Sequence, residues 1–353
     1  MLLPLSGATQ HAAIAKSLKQ AGELALFDRD DGSFQLVVLD DKGTPEGARA
    51  AADQALKEGA ELILGPLFST SVSAVSSIAR TAGVPVLAFS NDRQVAGSGV
   101  FLLGHQVSAE VERVVSYAVV QGRRRIAALI PDDPYGHLAE TALRASAEQA
   151  GASVVASQRY PRSSNGMLEP ARQLANALKE LEFGGQPADT LFLPGDHDLL
   201  TQLSSLLSYA GIDSSNMKIL GTGAMDHPGL GRDRLYVGAW FAAPDPRGWK
   251  QFSAQFSSTF GAAPPRVATL AYDSVGIAAE LVRASGGGRL SPELLSRPQG
   301  FQSVDGPLVL SGAGLPVRSL AVLEVKDFSS IVVDAGGGGI PAAQASTTGA
   351  RLN

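Results

Sequence analysis

The sequence contains no cysteine among its 353 residues. This absence excludes disulfide bonds, thiolate metal sites and cysteine nucleophiles. It fits an oxidising compartment, in which stray thiols are a liability, but many cytosolic proteins also lack cysteine. The location of the protein must therefore be inferred from other features.

Long hydrophobic runs and large basic blocks are also missing. No apolar stretch approaches the roughly 20 residues that span a bilayer, and the N-terminus lacks a basic segment followed by an apolar one. The densest basic run is Arg123–Arg125, in a chain with a net charge of −5. We therefore expect neither a membrane-spanning chain nor a nucleic-acid partner.

The chain opens on Met1–Pro4, which is short for a buried strand of about 5–6 residues. We take this brevity to indicate that an export signal was removed before residue 1. With 44% apolar and 18% charged residues, the chain can bury a large core, and its length favours two domains.

Short apolar runs alternate with helix-length segments along the chain. Thr44 and Pro45 predict a helix start, because threonine is a good N-cap and proline fits the first helical turn. Such alternation predicts an α/β fold with doubly wound parallel sheets. The predicted buried strands are residues 36–39, 62–64, 86–88, 126–130, 154–156, 191–193 and 219–220.

The two halves of the chain echo each other. Residues 62–66 lead into a helix ending near Gly83, and residues 191–195 lead into one ending near Gly211. This favours two lobes of one design; a single large sheet is the alternative. We expect an N-terminal lobe of residues 1–106 and 239–302, a C-terminal lobe of 107–238 and 303–334, and a flexible tail of 335–353. The chain would cross between lobes near Gln106, Gly238 and Gln302, and residues 308–310 and 317–325 would form a hairpin.

Catalytic motifs are missing. The sequence has no phosphate-binding loop, no Gly-x-Ser-x-Gly elbow and no His-Glu-x-x-His motif. Gly221-x-Gly223 follows a strand, but Asp226 stands where a dinucleotide site needs its third glycine. The cluster Asp196–Asp198 is better explained by a helix cap than by a metal site. We predict no catalytic residue, no metal and no cofactor, and hence no enzyme.

Small polar residues follow several predicted strands. Open α/β sheets bind ligands at the carboxyl ends of their strands, so these loops are the candidate site. They contain Ser6 after the first strand, Ser69 and Thr70 after the third, and Ser90–Asp92 after the fourth. Hydroxyls and free backbone N–H groups there suit a carboxylate or another acceptor. The alternative is that Ser69 or Thr70 only caps its helix.

A set of short motifs runs in order over residues 1–330. The motifs are Pro4–Gly7, Gly65–Thr70, Gly83–Val86, Asp133–Gly136, Ala271–Asp273, Val304–Pro307 and Gly314–Arg318. Through them the chain resembles the leucine/isoleucine/valine-binding receptors of ABC importers, which implies the type I periplasmic binding protein fold and a periplasmic location, free or lipid-anchored. Through its opening Leu3–Gly7 it also resembles penicillin-binding-protein activator lipoproteins.

The resemblance implies specific ligand contacts. Ser69 and Thr70 would hold a ligand carboxylate, and Tyr135 would close over the ligand from the second lobe. At Gly223 the branched-chain receptors have an acid that faces the ligand ammonium, whereas residues 222–224 here are uncharged. We therefore expect weak binding of leucine, isoleucine and valine and a preference for a neutral or anionic polar solute, unless Asp92, Asp196 or Asp226 replaces that acid. The predicted ligand-binding residues are Ser6, Phe68, Ser69, Thr70, Phe89, Ser90, Asn91, Asp92, Tyr135, Gly195, Asp196 and Gly223.

Two functions remain open at the level of sequence. The first is a receptor that closes its two lobes on a small polar solute, an amino acid or a related compound, and presents it to an ABC membrane permease. The second is a lipoprotein-type activator or regulator of peptidoglycan synthesis, whose partner is a peptidoglycan synthase.

Overall fold

Helices and parallel strands alternate along the chain, as the apolar runs predicted. The computed structural model describes residues 1–29, 32, 34–163, 166–227, 229–286 and 288–336. The predicted α/β class is confirmed. Apart from residues 335 and 336, the predicted tail lies outside the described residues. Within the described ranges, no helix is long and apolar enough to cross a membrane.

Ten helices and fifteen strands are defined in the described ranges. The helices are α1 (Thr9–Arg29), α2 (Pro45–Lys57), α3 (Ser69–Ala82), α4 (Val107–Val120), α5 (Pro134–Ala150), α6 (Leu168–Phe183), α7 (His197–Ala210), α8 (Pro246–Phe260), α9 (Ala268–Ser285) and α10 (Pro292–Leu295). The strands are β1 (Leu2–Leu3), β2 (Leu39–Asp40), β3 (Ile63–Leu64), β4 (Val86–Ala88), β5 (Val100–Leu102), β6 (Arg125–Pro131), β7 (Ser153–Tyr160), β8 (Thr190–Phe192), β9 (Lys218–Gly221), β10 (Trp240–Ala243), β11 (Phe301–Ser303), β12 (Gly306–Leu310), β13 (Pro316–Arg318), β14 (Ala321–Lys326) and β15 (Ser329–Asp334).

Two compact units divide the described chain. The first contains residues 1–105 and 246–319, and the second contains residues 106–245 and 320–336. The described chain therefore passes between units three times, after His105, Asp245 and Ser319.

The first unit packs helices on both faces of short parallel strands. β1 pairs with β2, and β3, β4 and β5 pair in that order, all in parallel. Because neighbouring residues of a strand point to opposite faces, Leu2 packs with α2 and α3, whereas Leu3 packs with α1 and α9. Although β1 has only two residues, both are buried, so the brevity of this run did not prevent it from forming a strand.

The second unit contains one seven-stranded sheet in the order β15-β14-β10-β9-β8-β6-β7. β6 shows how it is wound: Ile126 and Ile130 pack with α4 and α5, whereas Ala127 and Leu129 pack with α6 and α7. Both faces are thus covered by helices, as expected for a doubly wound sheet. β14 and β15 add an antiparallel edge.

Two segments lie in different units from those predicted. Trp240–Ala243 forms β10, which pairs with β9 and β14 and so belongs to the second unit. Residues 303–319 belong to the first unit, because Leu308 and Leu310 enter its core. The predicted hairpin is confirmed in part: Leu308 and Val309 of β12 pair antiparallel with Arg318 and Val317 of β13, whereas β14 pairs with β10 and β15.

Glycines end α3 and α7, the two helices that hold equivalent positions in the two similar halves of the sequence. Gly83 ends α3 with φ of 67°, and Gly211 ends α7 with φ of 84°. This left-handed conformation is open to glycine without strain. The Thr44–Pro45 start of α2 is confirmed as well, since the Thr44 side chain accepts a hydrogen bond from the backbone of Gly47.

A buried cluster of ionisable groups lies in the first unit and includes residues next to the points where the chain passes to the second unit. The carboxylate of Asp305 lies 2.6 Å from Arg266 and 3.1 Å from the ring of His105, the last residue before the first crossing. Arg318 donates to the carbonyl oxygen of Leu103. Burial by itself would raise the pKa of Asp305, but the hydrogen bond from His105 and the charge of Arg266 outweigh it and hold that pKa far below its usual range.

Asp273 behaves in the opposite way within the same cluster. Its carboxyl accepts a hydrogen bond from the backbone N–H of Val304. Burial raises the pKa of Asp273 from 3.8 to about 7, although the charge of Arg318 lowers it in part. The folded protein therefore holds a proton on Asp273 at pH values where the unfolded chain has released it.

The raised pKa of Asp273 in the folded protein predicts that the effect of Asp273→Asn on stability depends on pH. The stabilisation from the raised pKa is complete below about pH 4 and is lost as pH rises towards 7. The wild type should therefore lose free energy of unfolding relative to the Asn variant over this window, because Asn does not titrate. Urea unfolding of both proteins at several pH values measures the difference, and the exposed Asp53→Asn is the control. Parallel pH profiles of wild type and Asp273→Asn would contradict the assignment.

Candidate functional site

Three loops meet at the carboxyl ends of strands β1, β2 and β3 in the first unit. The backbone N–H of Ser6 donates to Asp40 at 3.2 Å. A Cβ on Gly43 would lie 3.3 Å from both the ring of Phe68 and Pro4. Burial by itself would raise the pKa of Asp40, but hydrogen bonds from Ser6 and from backbone N–H groups lower it. Ser6 and Phe68 thus lie at one edge, as the sequence predicted.

The hydroxyls at the start of α3 do not cap the helix. Its N-cap is Phe68, which makes no side-chain cap hydrogen bond, so the alternative that Ser69 or Thr70 is the cap is wrong. Ser69 is half-buried and Thr70 is exposed. Ser71, which sequence reasoning passed over, is fully buried, and its Oγ has no hydrogen-bond partner among the described residues. The hydroxyl groups in the first turn of α3 therefore do not serve as its N-cap.

The loop after β4 is largely engaged in local turns. Ser90 is 5% exposed, and its Oγ accepts a hydrogen bond from the N–H of Asp92. Asp92 in turn caps the 3-10 turn of residues 93–95 by accepting from Gln94. Phe89 lies in the hydrophobic core, and Asn91 is exposed beside it in sequence.

In the second unit, residues from two loops meet after β6 and β9. Tyr135, in the first turn of α5, lies with its Oη 2.5 Å from Oγ1 of Thr222. Burial raises the pKa of Tyr135 well above its usual range, more than the hydrogen bond with Thr222 lowers it. The phenol is therefore neutral at physiological pH and able to donate a hydrogen bond.

Arg162 connects the caps of two neighbouring helices. Asp133 caps α5 by accepting from the N–H of Gly136, and Asp196 caps α7 by accepting from Leu199. The guanidinium of Arg162, after β7, pairs with Asp196 and lies 3.4 Å from Asp133. The predicted cap by Asp196 is confirmed. Its carboxylate is thus already engaged by a cation and a backbone N–H.

His197 and its neighbours complete this edge. The His197 ring stacks on His227 with 3.9 Å between centroids. Gly195 is buried, and a Cβ there would lie 3.1 Å from the side chain of Leu199. In the described part of the chain, no group of three or more histidine or acidic side chains is placed to hold a metal ion.

A carboxylate from a distant part of the sequence lies at Gly223. Glu110, in the first turn of α4, accepts a hydrogen bond from the N–H of Gly223 at 2.9 Å. It is 8% exposed. The expectation that leucine binds weakly assumed that no acid lies at Gly223, and Glu110 removes that argument. Only long-range pairing identifies this residue, because the two positions are 113 residues apart.

The predicted site residues therefore fall into two groups. Ser6, Phe68, Ser69, Thr70 and Phe89–Asp92 lie in the first unit, and Tyr135, Gly195, Asp196 and Gly223 lie in the second. The structure brings Tyr135 to the Thr222–Gly223 loop, and it adds Glu110 and Arg162 to that edge.

Comparison with known families agrees with this arrangement. A model of the periplasmic binding protein family matches residues 1–329. The chain belongs to the periplasmic binding protein family. Its members are binding receptors, which accords with the missing catalytic motifs. This periplasmic binding protein also matches an uncharacterised protein of Rickettsia prowazekii at 22% identity, over 50% of this chain and 46% of the other. It thus spans about half the length of the curated relative that it matches.

Solved structures share the fold over nearly the whole chain. A Rhodospirillum rubrum protein, assigned as a branched-chain amino acid ABC transporter, has 20% identity and a TM-score of 0.79, covering 94% of this chain and 98% of its own. A substrate-binding protein of Desulfitobacterium hafniense in complex with Leu has 18% identity and a TM-score of 0.70, covering 94% and 98%. A solute-binding protein of Rhodopseudomonas palustris BisB5 in complex with 3,4-dihydroxybenzoic acid has 18% identity and a TM-score of 0.66, covering 96% and 97%. The predicted type I fold of periplasmic binding proteins is confirmed.

Because no side chain caps α3, we expect substitution of Ser69 to affect ligand binding and protein stability separately. Ser69→Ala should weaken binding of a carboxylate ligand by about 1–3 kcal/mol, the loss expected for a hydrogen bond to a charged group. Stability should change by less than the ~1 kcal/mol of a lost helix cap, because Ser69 is not the cap. Calorimetry and urea unfolding measure the two effects. Ser73→Ala, at an exposed position of the same helix, is the control. Unaltered affinity of Ser69→Ala would remove Ser69 from the site.

Proposed function

We propose that this protein is the substrate-binding component of an ABC importer in the periplasm, either free or lipid-anchored. It would close its two units on a small polar solute, an amino acid or a related compound, and present the closed form to a membrane permease. The sequence match to the periplasmic binding protein family over residues 1–329 is the observation that carries this proposal.

The geometry of each unit supports a binding role. In both units, polar side chains gather at the carboxyl ends of parallel strands, where open α/β sheets bind ligands. The first unit offers hydroxyl and backbone N–H groups at the start of α3, which suit a carboxylate. The second unit offers the Tyr135 phenol, the Thr222 hydroxyl and the Glu110 carboxylate. Together these groups suit a ligand with more than one polar end.

A receptor of this kind should become more compact when its ligand binds. Three chain crossings join the units, and a ligand that contacts both would shift an open–closed equilibrium towards the closed form. Small-angle scattering with and without a stabilising ligand should show a smaller radius of gyration in its presence. A compound that gives no thermal stabilisation is the control. An unchanged radius with a saturating ligand would count against closure.

The activator function has one structural observation in its favour. Several polar groups at the candidate edges are already paired with one another, including Ser90 with Asp92, Tyr135 with Thr222, and Arg162 with Asp196. An edge whose groups satisfy each other does not need a ligand. In that case the protein would regulate peptidoglycan synthesis by contact with a synthase.

A thermal-shift panel separates the two functions. The panel contains amino acids, their deaminated analogues, aromatic acids and muropeptides. A transport receptor should be stabilised by at least one small solute, by about 2.7 kcal/mol at a concentration of 100 Kd. The Ser69→Ala variant should respond less to the same compound. Stabilisation by muropeptides alone, or by no compound, would favour the activator function.

A further inference from the structure

We infer that Arg162 is a positioning residue for ligand binding: by bridging the aspartates that cap α5 and α7, it fixes the first turn of α5 and with it the hydroxyl of Tyr135. This inference rests on the receptor function proposed above. It assigns a role in ligand affinity to a side chain that acts through its neighbours rather than by contact with the ligand.

Arg162 links loops that follow three neighbouring strands of the second unit's sheet. It comes two residues after the end of β7, and the strands at this side of the sheet are ordered β8-β6-β7. Asp133 follows β6, the direct neighbour of β7, whereas Asp196 follows β8, one strand further on. Because neighbouring strands lie about 4.8 Å apart, β7 and β8 are roughly 10 Å apart. Contact with both aspartates therefore requires a long side chain with several N–H donors, which arginine has.

Each aspartate divides its two carboxylate oxygens between a helix cap and Arg162. Oδ1 of Asp133 accepts from the N–H of Gly136 at 2.7 Å, and its Oδ2 lies 3.4 Å from Nε of Arg162. Oδ1 of Asp196 accepts from the N–H of Leu199 at 2.9 Å, and its Oδ2 accepts from Nη2 of Arg162. One guanidinium thus fixes the orientation of both capping carboxylates.

The charges of this group act on one another and on Tyr135. Burial by itself would lower the pKa of Arg162, but the hydrogen bond to Asp196 and the charges of Asp196 and Asp133 raise it. After burial, the charges of the same two aspartates are among the causes that raise the pKa of Tyr135, which places them near its phenol. Loss of Arg162 would leave two like charges beside this phenol, and they would repel each other.

The first turn of α5 connects the bridge to Tyr135. Tyr135 is the second residue of the helix and lies between Asp133 and Gly136, the two residues joined by the cap. A Cβ on Gly136 would lie 1.9 Å from the carbonyl oxygen of Pro131, so this turn sits directly on the end of β6. The Oη of Tyr135 lies 2.5 Å from Oγ1 of Thr222. A shift of the cap would therefore displace the phenol from Thr222.

A role in stability alone makes a different prediction. The Arg162 side chain is 48% exposed, and exposed ion pairs contribute little to stability. If Arg162 were only such a pair, its loss would leave ligand affinity unchanged. If it positions Tyr135, the contribution of the Tyr135 hydroxyl to affinity depends on Arg162. A double-mutant cycle measures this dependence.

The cycle consists of Arg162→Gln, Tyr135→Phe and the variant with both changes, compared with the wild type by calorimetry. The probes are alanine, leucine, pyruvate and benzoate. For a probe that the wild type binds, each single change should weaken binding ~10-fold, which is about 1.4 kcal/mol. In the Arg162→Gln background, Tyr135→Phe should weaken binding further by only about 2-fold or less. The unfolding temperature of Arg162→Gln should stay within about 3 °C of the wild type.

Two further variants separate the bridge from its charge and from ion pairs in general. Arg162→Lys keeps the charge, but a single ammonium does not reproduce the planar fork that holds two carboxylates, so its affinity should fall nearly as far as that of Arg162→Gln. The matched control is Arg144→Gln, which removes the exposed ion pair of Arg144 with Glu140 on the same helix. This control should bind the probe as tightly as the wild type.

Several results would overturn the inference while the receptor function stands, because a probe still binds. They are wild-type affinity in Arg162→Gln, Arg162→Lys or Tyr135→Phe, and additive losses in the double variant. An unfolded Arg162→Gln would assign Arg162 to stability and overturn it as well. If the wild type binds none of these probes, the cycle uses a compound of the wider panel that stabilises the protein. If no compound does so, the receptor function fails and this inference fails with it.

Discussion

Parallel strand pairing is the constraint on which the binding edges of this protein depend. Parallel strands align their carboxyl ends at one edge of a sheet, so the loops that follow them meet there however far apart they are in sequence. In the first unit the pairing of β1 with β2 brings the Ser6 loop to Asp40. In the second unit the alignment of strand ends brings Tyr135 to Thr222. The polar residues could not converge without it.

The pairing and the protonation states of the buried charged groups follow from the cost of burying ions. A buried charge must be paired or hydrogen-bonded, or the group changes its protonation state. Asp305 shows the first outcome, since Arg266 and His105 keep it ionised. Asp273 shows the second, since burial raises its pKa to about 7. At the second unit's edge, Arg162 compensates two capping aspartates, whereas Glu110 accepts from a backbone N–H.

Several local features could be predicted because they depend on neighbouring residues only. The Thr44 cap, the Asp196 cap and the glycine ends of α3 and α7 all arise within a single helical turn. The alternation of strands and helices followed from apolar runs for the same reason. Capping at Ser69 was predicted wrongly as an alternative, because Ser69 is the first residue of helix α3 and the N-cap position before it is held by Phe68, whose side chain cannot cap.

The sequence by itself determined the fold class, the order of the elements and the loops that carry polar residues, because these follow from local propensity and from hydrophobic periodicity. Tertiary structure alone decided where the units divide. Trp240–Ala243 joins the second unit through pairing with β9 and β14, and the apolar run at 317–325 splits between two sheets. It also decided that Glu110 lies at Gly223, since a contact between residues 113 positions apart depends on how sheet and helix pack, which no local pattern encodes.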